Sequence, residues 1–395
     1  MEISSFIDLF CGIGGFHQAI KRIFPSATCV LASDINKNSA KVYEKNYNVK
    51  PEGDVRKIDE SSIKSFDILC AGFPCQSFSN AGKKKSFNDT RGTLFHEIIR
   101  IARHNKPKFM FLENVKHILK IDNGSVFKTI VQSIEEIGYD VSHCVVSPHQ
   151  LGVPQQRERV IFVCVRNDIS EVDFDISDLL KDSLHQDIDV DRIFEENVDE
   201  KYSCPPDIRR ALDAWDEIIQ HVEVGEKLSP TIMCNEFYKN YTPEEFRNLS
   251  QWRQDYITKN KRLYDKYQSF WDTWYVKHKD IMTRREVYAK LEWQVGKKKE
   301  NDSIWDYFIQ VRQSGMRIKK TKYFPTLVAM VQTPIYGKKK RYITPRECAR
   351  LQSFPDDFIL DENDKNAYKQ FGNAVNVDVI HLVMKKTMEF YGFTE

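Results

Sequence analysis

The chain has 395 residues, of which 41% are hydrophobic and 29% are charged, and its formal net charge is +2. This composition is ordinary for a soluble globular protein, and the length allows two domains. No stretch approaches the roughly 18 apolar residues that a membrane span needs, and the N-terminus lacks the basic start and apolar core of a signal peptide. We therefore expect a cytoplasmic protein without a membrane partner.

The nine cysteines are scattered along the chain, and no pair has the C-x-x-C spacing of metal ligands. This spacing excludes the usual zinc motifs and a disulfide framework, so we expect no metal and no structural disulfide.

The small net charge hides a strong local asymmetry. Residues 171–200 contain 12 acidic and 2 basic residues, whereas residues 277–341 contain 17 basic and 6 acidic residues. The basic stretch also carries tryptophans and tyrosines. It is either a solvated face or a surface that meets a polyanion such as DNA.

Short apolar runs alternate with helical patterns over the first 165 residues. We expect strands near residues 5–10, 29–32, 65–70, 109–112 and 160–165, with helices near 36–47, 94–103 and 126–137. This alternation predicts a doubly wound α/β sheet, which binds ligands beyond the carboxyl ends of its strands.

The pattern changes after residue 170. We expect a first domain over residues 1–170, an acidic connector over 171–202, a largely helical inserted domain over 203–340, and a return to the first domain over 341–395. The return contains two predicted helices, near 343–352 and 377–391, and the first is entered through Thr344-Pro345.

A Gly-rich turn follows the first strand, in the run Asp8 to Phe16. Glycines allow the backbone to approach a ligand closely, although such a turn also serves dinucleotides. Asp34 follows the next apolar run, and Asp54 comes twenty residues later, before the run near residues 65–70. Each could be only a cap or turn residue, but together they favour an adenosine-type cofactor.

Three further positions carry chemistry. Cys75, in Pro74-Cys75-Gln76, follows a strand and is either a nucleophile or a small buried hydrophobic residue. Glu113 ends the next strand, at the same edge of the sheet. Arg157 and Arg159 are two residues apart and point the same way, which fits either a site or a salt-bridged strand rim.

In this order, the motifs resemble those of the cytosine-5 DNA methyltransferases of the bacterial restriction–modification type. The resemblance covers residues 4–166 and 341–385 and includes Glu113-Asn114-Val115 and Gly372-Asn373-Ala374-Val375. It implies a Rossmann-like methyltransferase domain, with the inserted domain recognising the target. Two positions depart from the family pattern, since Asp34 replaces the usual Glu and Ala374 a frequent Ser.

The resemblance also implies S-adenosylmethionine as cofactor and assigns residues to bind it. These are Phe10, Ile13, Gly15, Asp34, Ile35, Asp54, Val55, Pro74, Leu94, Asn373 and Val375.

The resemblance implies covalent catalysis on a flipped cytosine. Cys75 would add to carbon-6, and Glu113, with a pKa raised by burial, would donate to ring nitrogen-3. Arg159 would hold the ring oxygen and orient Cys75, while Arg157 would order the cluster.

The implied partner is double-stranded DNA, bound by a monomer that is associated with the nucleoid. The basic loop 76–93 would close on the phosphates, with Ser79, Lys83 and Lys84 as DNA-binding residues. Arg317 in the inserted domain would read a base, and residues 277–341, including Lys297, Lys298 and Lys299, would lie along the DNA.

Three alternatives remain at this point. The first is a tRNA cytosine-5 methyltransferase, whose Cys-Phe-Thr signature is absent because Pro205 follows Cys204 and Asn235 follows Cys234. The second is a nucleotide-dependent oxidoreductase, which leaves Cys75 and Glu113 without a role. The third is a catalytically inactive DNA-binding protein. We expect a host-protecting methyltransferase, whose recognition sequence the chain does not reveal.

Overall fold

A computed structural model describes residues 2–74, 94–171, 173–184, 187–228, 231–328 and 333–393. The chain forms two compact units. Unit 1 comprises Met1–Ile193, Thr326–Val331 and Pro345–Glu395, and unit 2 comprises Phe194–Pro325 and Gln332–Thr344. The division differs from the expected one, because most of the acidic stretch belongs to unit 1.

Unit 1 is built on a mixed six-stranded sheet with the strand order β2-β1-β3-β4-β6-β5. The first four strands in this order are parallel, and β6 runs antiparallel to both β4 and β5. The strands are β1 Ser5–Leu9, β2 Thr28–Ser33, β3 Ile68–Gly72, β4 Phe109–Val115, β5 Tyr139–Val146 and β6 Arg159–Arg166. The chain direction across the sheet reverses between β1 and β3, where such sheets bind ligands.

Several helices of unit 1 begin at a residue whose side chain caps them. Asn36 accepts hydrogen bonds from the backbone N–H groups of Asn38 and Ser39, and Asn363 accepts from those of Lys365 and Asn366. The helices are α1 Gly15–Ile23, α2 Lys37–Tyr47, α3 Leu94–Asn105, α4 Ser125–Glu135 and α5 Ile176–Leu180, followed after unit 2 by α10 Pro345–Leu351, α11 Asp364–Asn373 and α12 Val377–Phe390.

The central strands are apolar throughout and are covered on both sides. Ile68 to Ala71 of β3 and Phe109 to Leu112 of β4 are fully buried, as expected for parallel strands between helical layers. The C-terminal helix α12 packs against α1, and Arg22 Nη1 lies 2.7 Å from Asp378 Oδ1. The return segment is therefore part of the same core.

Unit 2 joins a helical half to a second mixed sheet with the order β12-β11-β9-β10-β8-β7. Its helices are α6 Pro206–His221, α7 Pro243–Arg247, α8 Gln251–Lys266 and α9 Gln268–Met282. Its strands are β7 Ile232–Met233, β8 Lys290–Gln294, β9 Phe308–Arg312, β10 Gly315–Lys319, β11 Ile335–Tyr336 and β12 Arg341–Tyr342. Trp215, Trp271 and Trp274 pack between the helices in its core.

The doubly wound α/β class is confirmed. The inserted domain expected over residues 203–340 has its α-helices between residues 206 and 282, and strands β8 to β11 lie in its later part. The sequence interpretation missed α1, β5 and the sheet of unit 2. Residues 243–266 form two helices, α7 and α8, because the helix breaks at residues 248–250. The strands of unit 2 are two to five residues long, too short for a clear alternation.

Candidate active site

A cavity of about 530 Å³ lies at the carboxyl ends of the parallel strands of unit 1. Its volume is in the usual range for a small-molecule site. Residues from β1 to β4, the start of β6 and the return segment line it. The expected site residues among them are Phe10, Asp34, Ile35, Asp54, Val55, Pro74, Leu94, Glu113, Arg157, Arg159 and Asn373.

The Gly-rich turn brings the backbone to the edge of this cavity. Phe10 has a positive φ of 54°, which is uncommon for a non-glycine residue and is typical of functional sites. Gly14 has a φ of 88°, and a Cβ there would lie 2.2 Å from the Tyr47 ring. The Tyr47 hydroxyl donates to the Gly14 carbonyl at 2.9 Å, and the ring stacks on His17 at 3.8 Å. Tyr47 and His17 thus pack against the turn and hold its backbone in place.

Asp34 is held by the backbone at the end of β2. Its Oδ2 accepts from Gly12 N at 2.8 Å, and its Oδ1 accepts from Asn36 N at 2.7 Å. Burial raises the pKa of Asp34, although these two hydrogen bonds oppose the shift. Each oxygen keeps a second lone pair, so the carboxylate can still accept from a ligand hydroxyl.

Asp54 and Ile35 lie at the same part of the cavity wall. Asp54 caps a short 3₁₀ turn and pairs with Arg56, Oδ2 to Nη2 at 2.6 Å. The hydrogen bond from Arg56 lowers the pKa of Asp54 to about 2, so this carboxylate is charged at neutral pH. Ile35 is 73% exposed, an unusual state for a large apolar side chain, and offers a surface for a planar ring.

Glu113 and Arg159 meet at the other side of the cavity. Glu113 Oε1 lies 2.8 Å from Arg159 Nε, and both side chains are largely buried. Burial raises the pKa of Glu113, although the positive charges of Arg159 and Arg157 oppose the shift. The sequence interpretation expected this raised pKa, and the direction and main cause agree with it.

Asn114, next to Glu113, holds the chain segment that leads to Cys75. Its Nδ2 donates to the Phe73 carbonyl at 2.9 Å, and its side chain is buried. Pro74 lines the cavity, and Cys75 follows it in the sequence but lies outside the described residues. The sequence interpretation named Asn114 only as part of a motif. Its hydrogen bond to the segment after β3 depends on the pairing of β3 with β4, which the sequence does not show.

Arg157 is buried and holds two distant segments of unit 1. Its Nη1 donates to the Leu327 carbonyl at 2.7 Å, and its Nη2 donates to the carbonyls of Gly372 and Ala374 at 2.9 and 3.1 Å. Burial and the neighbouring Arg159 lower the pKa of Arg157 to about 9, which leaves the guanidinium charged at neutral pH. Arg157 therefore fixes the return segment beside Glu113.

Three expected cofactor residues do not line this cavity. Ile13 is buried, and a Cβ added to Gly15 would lie 2.5 Å from Val375 Cγ2. Val375 lines a smaller cavity beside Glu113 and Arg159. Gly15 and Val375 therefore join the Gly-rich turn to the return segment.

The structure describes only some of the residues expected to contact DNA. Ser79, Lys83 and Lys84 lie outside the described residues. Arg317 belongs to unit 2, where its Nε lies 2.5 Å from Glu292 Oε2. Lys297 and Lys299 are exposed, whereas Lys298 is buried and its Nζ donates to the Lys299 carbonyl. Lys298 is therefore engaged within unit 2, and the contact of this Lys-rich stretch with DNA stays a prediction.

Several polar residues of the cavity wall were not predicted. They are Ser33, Asn36, Ser39, Arg56 and Gln370. Asn36 could have been found, because it follows a strand and begins a helix as a capping residue. Gln370 lies in α11, far along the chain, and no local pattern points to it.

The described part of the chain brings together no group of three His, Cys, Asp or Glu residues that could hold a metal ion. Among the described helices, none is long and apolar enough to cross a membrane.

Comparison with known sequences gives a consistent result over nearly the whole chain. The sequence profile of the C-5 cytosine-specific DNA methylase family matches residues 4–389. The Type II methyltransferase M.BanI of Aneurinibacillus aneurinilyticus is 34% identical, over 96% of this chain and 94% of that protein. The Type II methyltransferase M.HhaI of Haemophilus parahaemolyticus is 31% identical, over 96% and 92% of the two chains.

Solved structures share the fold at lower identity. The S. pombe Dnmt2 methyltransferase has a TM-score of 0.57 and 18% identity, covering 99% of this chain and 100% of that one. A putative DNA modification methyltransferase encoded within an E. coli prophage has a TM-score of 0.55 and 20% identity, covering 98% and 99%. At this identity, the likeness supports the fold alone.

Proposed function

We propose that this chain, which belongs to the C-5 cytosine-specific DNA methylase family, methylates a cytosine within a specific duplex sequence by covalent catalysis through Cys75. As a member of that family it is a DNA (cytosine-5-)-methyltransferase of the restriction–modification type. The single observation that carries the proposal is the Glu113–Arg159 pair, which lines the same cavity as Pro74, the residue before Cys75.

The cofactor in this proposal is S-adenosylmethionine, which supplies an electrophilic methyl group on its sulfonium. The cavity wall fits an adenosine-containing molecule. Asp34 has spare lone pairs for ribose hydroxyls, Asp54 can accept from the adenine amine, and Ile35 and Val55 offer apolar contact. Phe10, Leu94 and Asn373 complete the wall that we assign to the cofactor.

The position of the two groups of residues supports a shared site for cofactor and base. In the sheet order, β2 with Asp34 lies three strands from β4 with Glu113. At a strand spacing of about 4.8 Å, the two sides of the cavity are roughly 14 Å apart. The Gly72 backbone lies between them, in register with Glu113 on β4. One end can therefore hold the adenosine while the other holds a base.

The protein groups supply covalent and electrostatic catalysis. The Cys75 thiolate adds to carbon-6 of the cytosine, and negative charge develops in the ring. The Glu113 carboxyl, whose pKa burial raises, donates a proton to ring nitrogen-3 and so stabilises this charge. Arg159 binds the ring oxygen, and Arg157 holds the return segment in place. Once carbon-5 carries the methyl group, water takes the carbon-5 proton and Cys75 leaves carbon-6 as a thiolate. The proton on nitrogen-3 then returns to the Glu113 carboxylate.

A base within a duplex cannot reach the bottom of such a cavity, so we propose that the cytosine is flipped out of the helix. Extrusion costs a few kcal/mol, and contacts to the DNA backbone must offset it. We assign these contacts to residues 76–93, with Ser79, Lys83 and Lys84. We assign contacts to the bases to unit 2, with Arg317. The relatives named Type II methyltransferases support a role in protecting host DNA from a cognate restriction enzyme.

The experiment that tests the proposal is transfer of labelled methyl groups to duplex DNA and, in parallel, to tRNA. We expect label in duplex DNA from the wild-type protein and none from Cys75→Ala, while calorimetry shows cofactor binding by both. Transfer by Cys75→Ala at the wild-type rate would exclude Cys75 as the nucleophile. Label in tRNA alone would exclude DNA as the substrate.

A further inference from the structure

The sheet of unit 2 has one apolar face. Its other face carries aromatic residues in one part and charged residues in another. Strand β10 places Met316 and Ile318 in the core of unit 2, and its alternate residues Arg317 and Lys319 on the opposite face. Arg317 pairs in register with Glu292 of β8 and Gln310 of β9. We call Glu292, Gln310, Arg312, Arg317 and Lys319 the polar face.

Aromatic side chains pack at one end of the polar face. Phe308, in register with Lys319, stacks on Phe324 with ring centroids 3.9 Å apart, and Tyr336 packs on Phe308 at 5.4 Å. Glu292 and Gln310 are only 5% and 7% exposed, whereas Arg312, Arg317 and Lys319 are partly exposed. Buried polar side chains beside an apolar core cost folding free energy, which points to a function.

The polar face carries three cations and one carboxylate. Burial, together with the charges of Arg317 and Arg312, lowers the pKa of Lys319. Arg312 Nε is buried and has no hydrogen-bond partner within the described residues. Crowded cations repel one another in the isolated protein, and a polyanion such as DNA would offset that cost.

Arg317 differs from the other cations because Glu292 holds it. Its Nε donates to Glu292 Oε2 at 2.5 Å, and the Arg317 side chain is 23% exposed. In the described part of the chain, its terminal Nη1 and Nη2 donate to no protein acceptor. The carboxylate cancels much of the charge that would attract a phosphate, but it leaves two fixed, parallel donors. A pair of donors in this geometry matches O6 and N7 of guanine in the major groove.

We propose that Arg317 reads a guanine in the recognition sequence and that Glu292 is the positioning residue that holds its guanidinium for this contact. The inference rests on the proposed function, because it requires duplex DNA as the substrate. It adds the identity of one recognised base and a role for Glu292. Gln310 and Arg312, on the neighbouring strand, are placed to contact adjacent groups.

The test is methylation of a duplex library randomised around a cytosine, with the methylated members identified by bisulfite sequencing. We expect the wild-type protein to require guanine at one position. Arg317→Lys keeps the charge but loses the paired donors, and should reduce that preference roughly 5- to 150-fold, as expected for one bidentate contact. Glu292→Gln should weaken the preference at the same position to a smaller extent. Preferences at other positions should not change.

Lys320→Gln is the matched control, because Lys320 is exposed and lies outside the polar face. It removes a charge beside Lys319 and should leave every base preference unchanged. All variants are first compared with the wild type by thermal unfolding and cofactor binding. Arg317→Lys is partly exposed and keeps its charge, so it should fold even if Glu292→Gln does not.

Three results would overturn the inference. Unchanged base preference in Arg317→Lys would exclude base reading. A lower salt dependence of DNA binding in Arg317→Gln, by about one unit of slope and without a change in preference, would make Arg317 a phosphate contact. Loss of methylation on every sequence by folded Arg317→Lys would assign it to turnover instead. Failure of the wild-type protein to methylate any duplex would refute the proposed function itself.

Discussion

Glu113 and Arg159 lie on adjacent antiparallel strands, and their side chains meet with Glu113 Oε1 2.8 Å from Arg159 Nε. The pair places an acid whose pKa is raised beside a permanent cation, at one wall of the cavity. Such a pair can give a proton to a ring nitrogen and stabilise charge on the neighbouring ring oxygen. This relationship is the basis of the first two predictions.

Replacing Glu113 by Gln should lower the methylation rate roughly 10²- to 10⁴-fold, the usual contribution of a general acid. The variant should still bind cofactor. Glu158→Gln is the control, since Glu158 is exposed and pairs with Lys116 outside the cavity. Single-turnover methylation is measured with both variants. A loss of rate in Glu113→Gln but not in Glu158→Gln shows that the effect is specific to Glu113 and does not come from removing any nearby carboxylate.

The same substitution should change the pH dependence of stability. Because the pKa of Glu113 in the folded state lies above its ordinary value of 4.5, its proton stabilises the fold at low pH, and this stabilisation is lost as pH rises through the raised pKa. The stability of Glu113→Gln relative to wild type should therefore increase as pH rises from below 4.5. Urea unfolding at several pH values measures this, and a constant difference would contradict the raised pKa.

Arg157 and Arg159 should respond differently to replacement by Lys. Arg157→Lys loses most of the hydrogen bonds to Leu327, Gly372 and Ala374, and should lower the free energy of unfolding by about 2–4 kcal/mol. Arg159→Lys should mainly reduce methylation, with a smaller loss of stability. Urea unfolding and single-turnover rates on both variants test the distinction, and equal effects on stability would refute it.

Replacing Asn114 by Asp should slow methylation without weakening cofactor binding. The buried side chain would no longer donate to the Phe73 carbonyl, so the segment before Cys75 would lose its anchor. Asn105→Asp is the matched control, because Asn105 also donates to a distant main-chain carbonyl, that of Glu60, away from the cavity. It should affect stability only. A normal rate in folded Asn114→Asp would show that the anchor is dispensable.

A Cβ at Gly15 should disrupt the junction between the Gly-rich turn and the return segment. It would lie 2.5 Å from Val375 Cγ2 and 3.0 Å from the Val375 carbonyl, so Gly15→Ala should lose about 1–3 kcal/mol of stability and bind cofactor more weakly. Val375→Ala added to Gly15→Ala should recover part of both, with Val375→Ala alone as control. Additive losses in the double variant would contradict this contact.

The part of the fold that could be predicted is the part with long, regular patterns. The apolar runs of β3 and β4 and the amphipathic α3 are readable from local sequence, and the turn residues after β1 and β2 point to one edge of the sheet. The sheet of unit 2 could not be predicted, because its strands are short and lie in a Lys-rich stretch typical of solvated surface.

The residues that line the candidate site could be predicted from the sequence, but the contacts that hold them in place could not. Glu113 and Arg159 follow from their positions at strand ends, and eight of the eleven expected cofactor residues line the cavity. The contacts of Arg157 with carbonyls 170 to 217 residues away have no local signal. The same holds for Glu292, whose contact with Arg317 depends on the register between β8 and β10.

The most direct test of the central claim is the identity of the methylated nucleoside. Duplex DNA incubated with the protein and S-adenosylmethionine is digested to nucleosides and analysed by mass spectrometry, with Cys75→Ala in parallel. We predict 5-methylcytosine from the wild-type protein and none from the variant. Methylation of the cytosine amino group or of adenine, or 5-methylcytosine from Cys75→Ala, would contradict the account.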